Sequence, residues 1–187
     1  MSSPQKQPKI ISFTAHHLLQ DPHTLGEKIT RELLSLQHDL GPTLIAMCGT
    51  TTLPDLIFLR KCIQLRLPTI TFQPPSTTHP QCHPGFSTLT SATLAHYSLP
   101  PTSTLSHSHI EWADALLIAS SGNEPPHPDS TAHTLCEARA LGIPTRLIHP
   151  TSPSAAWLIP PDPTRPARHG FPTRTDLLDF LDARFPP

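Results

Sequence analysis

Short apolar segments alternate along this chain with segments of helical periodicity, and this alternation is the strongest constraint on its fold. The apolar segments are residues 9–14, 43–48, 68–72, 112–119 and 143–149. Continuous apolar runs of this length are typical of strands buried on both faces, and strands that alternate with helices form parallel sheets. The sequence therefore predicts an α/β fold, a Rossmann-like open parallel sheet of about five strands with helices on both faces.

Apolar residues at helical spacing mark the helices between these strands. The predicted helices are residues 24–40, 54–66, 130–141 and 173–185, with a further candidate at 85–95. Thr24 and Glu27 have the spacing of a capping box at the start of the first helix. Glu137 is expected to face solvent or to pair with Arg139 or Arg146.

The chain length and the order of these segments indicate one domain, since 187 residues is within the usual size of a domain. We assign residues 1–150 to the Rossmann-like domain, and residues 151–187 to a Pro-rich segment and a C-terminal helix that packs on it. Residues 74–110 interrupt the alternation and are rich in Pro, Ser, Thr and His. A connection of this length is expected to be a functional loop or an irregular excursion.

Charge and hydropathy exclude several kinds of partner. The formal net charge is -1, which gives no electrostatic reason to expect nucleic acid or an anionic membrane as the main partner. No apolar run approaches the ~20 residues that span a bilayer, and residues 1–6 lack the apolar core of a signal peptide. We therefore expect a cytoplasmic protein.

The cysteines and the histidine-rich segment give no metal-binding pattern. Three cysteines lie in apolar segments, namely Cys48, Cys62 and Cys136. A free thiol in such a segment behaves as a small hydrophobic side chain, so we expect reduced core residues. His79, Cys82 and His83 lie close together in the chain, but their spacing matches no compact zinc finger. We predict no metal site and no cofactor.

The predicted fold itself indicates where a ligand would bind. In open parallel sheets, ligands bind outside the carboxyl ends of the strands, where helix N-termini present free backbone N–H groups and a partial positive charge. The segments expected at that edge are residues 14–19, 49–55, 74–110 and 120–134. A phosphate-bearing ligand is therefore physically reasonable.

Several residues at this edge have two interpretations from the sequence. Ser130 and Thr131 either donate hydrogen bonds to a phosphate, or Asp129 or Ser130 only caps the helix and Thr131 packs. His16 and His17 follow the first strand, and they either contact a ligand or are surface turn residues. Asp55 either meets a ligand hydroxyl or only stabilises the helix dipole.

Six segments, taken in order, resemble motifs of one family. Residues 11–19 (ISFTAHHLL) resemble the Thr-Gly-His-Arg signature that opens a branch of the SLOG superfamily. The other segments are residues 49–55 (GTTTLPD), 67–70 (LPTI), 113–118 (ADALLI), 129–134 (DSTAHT) and 138–147 (ARALGIPTRL). In the same order, these five segments resemble five features of the family. The features are a Gly-rich turn leading to an Asp, a Gly-Ile-Pro-Val strand, an Ala-Asp-apolar strand, a Gly-Gly-Thr-Ala-His-Thr helix start, and the segment that ends the unit begun by that helix. The match covers roughly residues 9–150.

The SLOG superfamily is Rossmann-like and includes DNA-processing protein A and the lonely-guy phosphoribohydrolases. Its domains are associated with binding nucleotides or nucleotide-derived signals, often in bacterial defence systems. The resemblance therefore implies a domain that binds or senses a nucleotide-like small molecule. The ligand-binding residues that we predict are Thr14, His16, His17, Gly49, Thr50, Asp55, Ser121, Gly122, Ser130 and Thr131.

The chain departs from the family at several positions. Ala15, Thr50 and Ser130 stand where the family has glycine, and His17 stands in place of the signature arginine. Since glycine permits close backbone approach and positive φ, these changes imply an altered nucleotide pocket. The phosphoribohydrolase branch has a glutamate where this chain has Thr134, which counts against that reaction.

Two other functions remain open at the level of sequence. The first is an enzyme that hydrolyses or transfers an N-glycosidic bond of a nucleoside or nucleotide, which needs a carboxylate in the pocket. The candidates for its catalytic residues are Asp55, Glu124 and Asp129. The second is a degenerate, non-catalytic protein-interaction module, which the missing glycines favour. Homo-oligomers are common among such domains, but no segment marks an interface.

Overall fold

A computed structural model describes most of the chain. The described residues are 7–15, 21–73, 85–86, 88–100, 110–121, 130–149, 151–152, 154–162 and 167–185. The strands are β1 (Lys9–Ala15), β2 (Leu44–Gly49), β3 (Thr69–Gln73), β4 (Ala95–Ser98), β5 (Ala115–Ala119), β6 (Thr145–Ile148) and β7 (Ala156–Ile159). The α-helices with described bounds are α1 (Pro22–Leu40), α2 (Leu53–Gln64), α3 (Thr131–Ala140) and α4 (Arg174–Arg184), and a 3-10 helix spans Thr90–Ala92.

The strands form one seven-stranded sheet in the order β4-β3-β2-β1-β5-β6-β7. Every neighbouring pair from β4 to β6 is parallel, and β7 runs antiparallel to β6. The predicted α/β class and Rossmann-like open sheet are thus confirmed, with seven strands in place of about five. The two additional strands are β4, inside the expected irregular excursion, and β7, inside the Pro-rich segment.

Helices α1 and α2 cover one face of the sheet, which we call face A. Their apolar residues pack on the side chains of β1, β2 and β5 that point to this face. The contact of Phe13 on β1 with Phe58 on α2 is a parallel stack with ring centroids 4.5 Å apart. Since neither ring is exposed to solvent, this pair lies at the centre of the face A core.

Helices α3 and α4 cover the opposite face, which we call face B. Leu177, Leu181 and Phe185 at the C-terminal end of the described chain pack on apolar residues of β1, β2 and β3. Ala138 of α3 packs on the residues of β5 that alternate with those on face A. This alternation follows from the period of two in a strand, and it explains why these strands read as continuous apolar runs.

Three local predictions are wrong. Helix α1 begins at Pro22 rather than Thr24, because the side chain of Asp21 caps it and accepts from the backbone N–H groups of His23 (3.0 Å) and Thr24 (3.3 Å). The helix expected within residues 85–95 is replaced by the 3-10 helix and the start of β4. The fourth predicted strand starts at Ala115 rather than residue 112, because residues 110–112 are helical.

The cysteines follow the prediction in part. Cys48 and Cys62 are free and fully buried in the face A core, as expected. Cys136 is free but exposed on α3, so its assignment to the core is wrong. Cys82 lies outside the described residues. In the described part of the chain, we find no helix with the length and apolar character required to cross a membrane.

Candidate functional site

The strand order places the candidate site at the carboxyl ends of β1 and β5. From β1, the chain first adds strands on one side of the sheet (β2, β3, β4) and then on the other (β5, β6, β7). This reversal is the topological switch point, where open α/β sheets bind ligands in the crevice beyond the strand ends. Ala15 and Ala119 are register partners at the ends of the two strands. We call this region the switch-point edge.

Four predicted site residues lie along this edge and belong to three adjacent strands or their turns. Thr14 lies near the end of β1, Gly49 is the last residue of β2, and Ser121 follows β5 by two residues. Thr14 and Ser121 are half-buried. Thr50 is fully buried, and its hydroxyl donates to the carbonyl oxygen of Phe72 at 3.4 Å. Its side chain therefore bonds within the sheet.

Two further described candidates, Ser130 and Thr131, form the start of α3. Ser130 is the N-cap, and its hydroxyl accepts from the backbone N–H of His133 at 3.1 Å. Both are buried, with exposed fractions of 6% for Ser130 and 4% for Thr131. The capping interpretation of Ser130 is thus observed, whereas the contact with phosphate stays a prediction. The cap is uncharged, and the first turn contains no acidic residue.

The other three helices with described starts each carry a carboxylate there. Asp21 caps α1, and Asp55 and Asp176 complete capping boxes at α2 and α4. A carboxylate at this position neutralises the partial positive charge of the helix N-terminus and occupies its N–H donors. Among these four helix starts, α3 is the one with no carboxylate at its cap or in its first turn.

Asp55 has a structural role that accounts for its position. One of its carboxylate oxygens accepts from the backbone N–H of Thr52 at 3.1 Å, while its own N–H donates to the Thr52 hydroxyl at 3.2 Å. Only 5% of the residue is exposed, and this burial raises the pKa of the carboxyl to about 6. Stabilisation of the helix start is therefore observed, and contact with a ligand hydroxyl stays a prediction.

The other predicted site residues lie outside the described residues. They are His16, His17, Gly122, Glu124 and Asp129. The histidine-rich cluster of His79, Cys82 and His83 also lies there. Within the part of the chain that the structure describes, no group of three His, Cys, Asp or Glu residues is arranged to hold a metal ion.

Two residues near the switch-point edge were missed by the sequence analysis. His149 directly follows β6, and Lys28 on α1 donates to its carbonyl oxygen at 2.9 Å. The signal for His149 was available, because it ends a predicted strand and therefore had to lie at the ligand edge. Lys28 gave no signal, since its position depends on how α1 crosses the sheet.

A small pocket lies at the opposite, amino edge, lined in part by Lys9, Asp114 and Arg168. The Asp114 carboxylate accepts from the backbone N–H of Ile10 at 2.7 Å and also from that of Arg168. Asp114 thus ties the start of β1 to the segment before α4.

Comparisons with known proteins assign no family to this chain. No protein-family model matches it, and neither the curated proteins nor the solved structures include a significant match. The class that the structure defines is an α/β domain with a mostly parallel open sheet.

Proposed function

We propose that this chain binds or senses a nucleotide or a nucleotide-derived anion at the switch-point edge. The observation that carries the proposal is the start of α3. It follows β5, one of the two strands at the switch point, and neither its cap nor its first turn carries a carboxylate. Anions bind favourably at such helix starts through backbone N–H groups and the helix dipole. The resemblance to the SLOG superfamily supports the same class of ligand.

In this proposal each predicted residue has a chemical role. Ser130 and Thr131 hold the phosphate together with the N-terminus of α3, and the hydroxyls of Thr14 and Ser121 bond to the ligand from the two switch strands. His16, His17 and Gly122 are the further residues that we predict to contact the ligand. The partial positive charge of a helix N-terminus favours an anion.

Of the three candidate catalytic carboxylates, Asp55 is the one that the structure describes, and its contacts favour binding over catalysis. An N-glycosidic hydrolase or transferase needs an acid or base that reaches the substrate. Asp55 instead bonds to the Thr52 backbone and is almost fully buried. We therefore propose a binding or sensing domain as the function.

A thermal-shift assay against AMP, ADP, ATP, cyclic nucleotides, NAD and inorganic phosphate tests the proposal. A ligand present at 100 times its Kd adds about 2.7 kcal/mol to the free energy of unfolding. We expect at least one nucleotide to stabilise the protein, with inorganic phosphate a weaker ligand. Absence of stabilisation by every nucleotide would contradict the proposal and favour the interaction module. Release of free base in the same incubations would favour the enzyme.

A pair of charge variants then locates the site. Ser121→Asp adds a negative charge at the switch-point edge, and Gln64→Glu adds the same charge at the exposed end of α2, at the opposite edge. Like charges about 12 Å apart repel by about 1.4 kcal/mol at an effective dielectric constant of about 20, so we expect Ser121→Asp to weaken nucleotide binding at least tenfold. Gln64→Glu should leave the affinity unchanged. Equal effects of the two variants would place the ligand elsewhere.

A further inference from the structure

The imidazole of His149 joins two turns at the carboxyl edge of the sheet. Its Nε2 lies 3.2 Å from the carbonyl oxygen of Ser121, in the turn after β5. Its Nδ1 lies 3.3 Å from the backbone nitrogen and 2.9 Å from the hydroxyl oxygen of Thr151, in the turn after β6. We call this arrangement the His149 bridge.

The partners of the two ring nitrogens determine where the proton lies. The Thr151 backbone N–H can only donate, so Nδ1 is the acceptor and carries no proton. The Ser121 carbonyl can only accept, so Nε2 carries the proton and donates. The bridge thus requires the neutral imidazole in its Nε2–H tautomer, and both nitrogens are used.

The backbone of His149 is held as well. The ammonium of Lys28 on α1 donates to the His149 carbonyl oxygen at 2.9 Å, which ties this strand end to the helix on face A. The His149 ring is therefore attached through its own backbone to β6 and α1, and through its side chain to the turn after β5. A half-buried ring with these attachments cannot turn away without losing several hydrogen bonds.

We propose that His149 is a positioning residue of the ligand site, because it holds the Ser121 carbonyl at the carboxyl end of β5. This inference rests on the proposed function, since β5 is one of the two switch strands. His149 acts through Ser121 and touches no reacting group. The bridge fixes the backbone of Ser121 before the ligand arrives, so binding does not have to immobilise it.

Two conservative variants separate the two ends of the bridge. In His149→Gln the amide nitrogen takes the place of Nε2 and still donates to Ser121. In His149→Asn the shorter amide keeps the acceptor for Thr151 but does not reach Ser121. We expect the ¹³C chemical shift of the Ser121 carbonyl, which reports its hydrogen bond, to change in the Asn variant and to stay close to the wild-type value in the Gln variant. We expect the affinity for AMP, the probe, to fall about tenfold only in the Asn variant.

The tautomer is measured independently by ¹⁵N NMR of the histidine ring, where we expect the Nε2–H form. An Nδ1–H ring, or equal ¹³C shifts of the Ser121 carbonyl in the Gln and Asn variants, would overturn the inference whatever AMP does. If the Gln and Asn variants differ at Ser121 but no nucleotide binds the wild-type protein, the bridge stands and the proposed function fails.

Discussion

Two capping boxes of the same composition show how burial alone changes the chemistry of an aspartate. Thr52 and Asp55 form the box at α2, and Thr173 and Asp176 form the box at α4. The hydrogen bonds are alike, but Asp55 is buried and Asp176 is exposed. Desolvation disfavours the charged carboxylate, which raises the pKa of Asp55 to about 6 from 3.8.

This difference predicts a pH dependence of stability. Because the pKa of Asp55 is higher in the folded protein, the unfolded chain releases this proton first as pH rises. The contribution of Asp55 is thus most favourable below about pH 4 and is lost as pH rises to about 6, a change of about 3 kcal/mol. The free energy of unfolding of wild type and of Asp55→Asn is measured in urea at pH 4 and at pH 7. The difference between the two proteins should then change by this amount between the two pH values. Asp176→Asn is the control. Parallel pH curves for wild type and Asp55→Asn would contradict the prediction.

At the residue scale, the sequence predicts the role of a side chain, such as helix capping, better than it predicts the burial of that side chain. The spacing of Thr52 and Asp55 is a visible capping box, whereas the burial of Asp55 depends on how α2 packs on the sheet. The Ser130 cap was foreseen as one of two interpretations. The cap at Asp21 was missed because Thr24 and Glu27 offered a competing pattern one turn later.

At the scale of elements, an ion pair on face A joins β6 to α1. The guanidinium Nε of Arg146 lies 2.6 Å from a carboxylate oxygen of Glu32, and the geometry is that of an ion pair rather than a directed hydrogen bond. Arg146 also donates to the Ser35 hydroxyl at 2.9 Å, and its guanidinium lies over the ring of Trp157 on β7. One side chain thus connects three elements.

Of the three alternatives given for Glu137, the pairing with Arg146 is wrong for a geometric reason. Alternate residues of a strand point to opposite faces, and Arg146 shares the face of Ile148, which packs in the face A core. Glu137 belongs to α3 on face B, where it lies 3.6 Å from His133. Sequence proximity could not reveal this, because the face that each helix covers is a property of the topology.

Removing one partner of this ion pair should be more harmful than removing both. Arg146→Met leaves Glu32 as a buried, unpaired carboxylate, so we expect a loss of about 3 kcal/mol in the free energy of unfolding. The double variant Glu32→Leu with Arg146→Met should recover most of that loss. Urea unfolding measures both. A double variant less stable than Arg146→Met would show that the pair itself supplies net stability.

The missed strands also have a physical explanation. Continuous apolar runs identified β1, β2, β3, β5 and β6, which have neighbours on both sides. The strands β4 and β7 lie at the edges, are four residues long and include exposed positions. Short edge strands lack the apolar signal because they are paired on one side and partly solvated.

At the scale of the whole molecule, helix α4 completes the core. Leu177 and Leu181 are 0% and 1% exposed, and they pack on residues of β1, β2 and β3. Tyr97 on β4 donates to the Asp182 carboxylate at 2.7 Å, and Trp112 packs near Phe180. Face B of the first strands is therefore covered by residues that come more than 100 positions later in the chain.

This arrangement predicts a large stability effect from α4. Leu177→Ala in the full chain should cost 2 to 5 kcal/mol, about the range for a buried leucine that leaves a cavity. Asp179→Ala, at an exposed position of the same helix, should change stability by less than about 0.5 kcal/mol. Denaturant unfolding of the two variants makes the comparison. A similar small loss in both would mean that α4 contributes little to the core.

Because β7 is antiparallel to β6, no crossover helix is needed between these two strands. Helix α4 then packs on β1, β2 and β3, in the middle of the sheet. During synthesis on the ribosome, β1 to β3 emerge early, but the residues that cover their face B emerge after about 100 further amino acids. The nascent chain consequently has an exposed apolar surface for several seconds at typical translation rates of about 5–20 residues per second. The packing of α4 on face B cannot be completed until residue 185 has left the exit tunnel, so this half of the core forms only after synthesis of the helix.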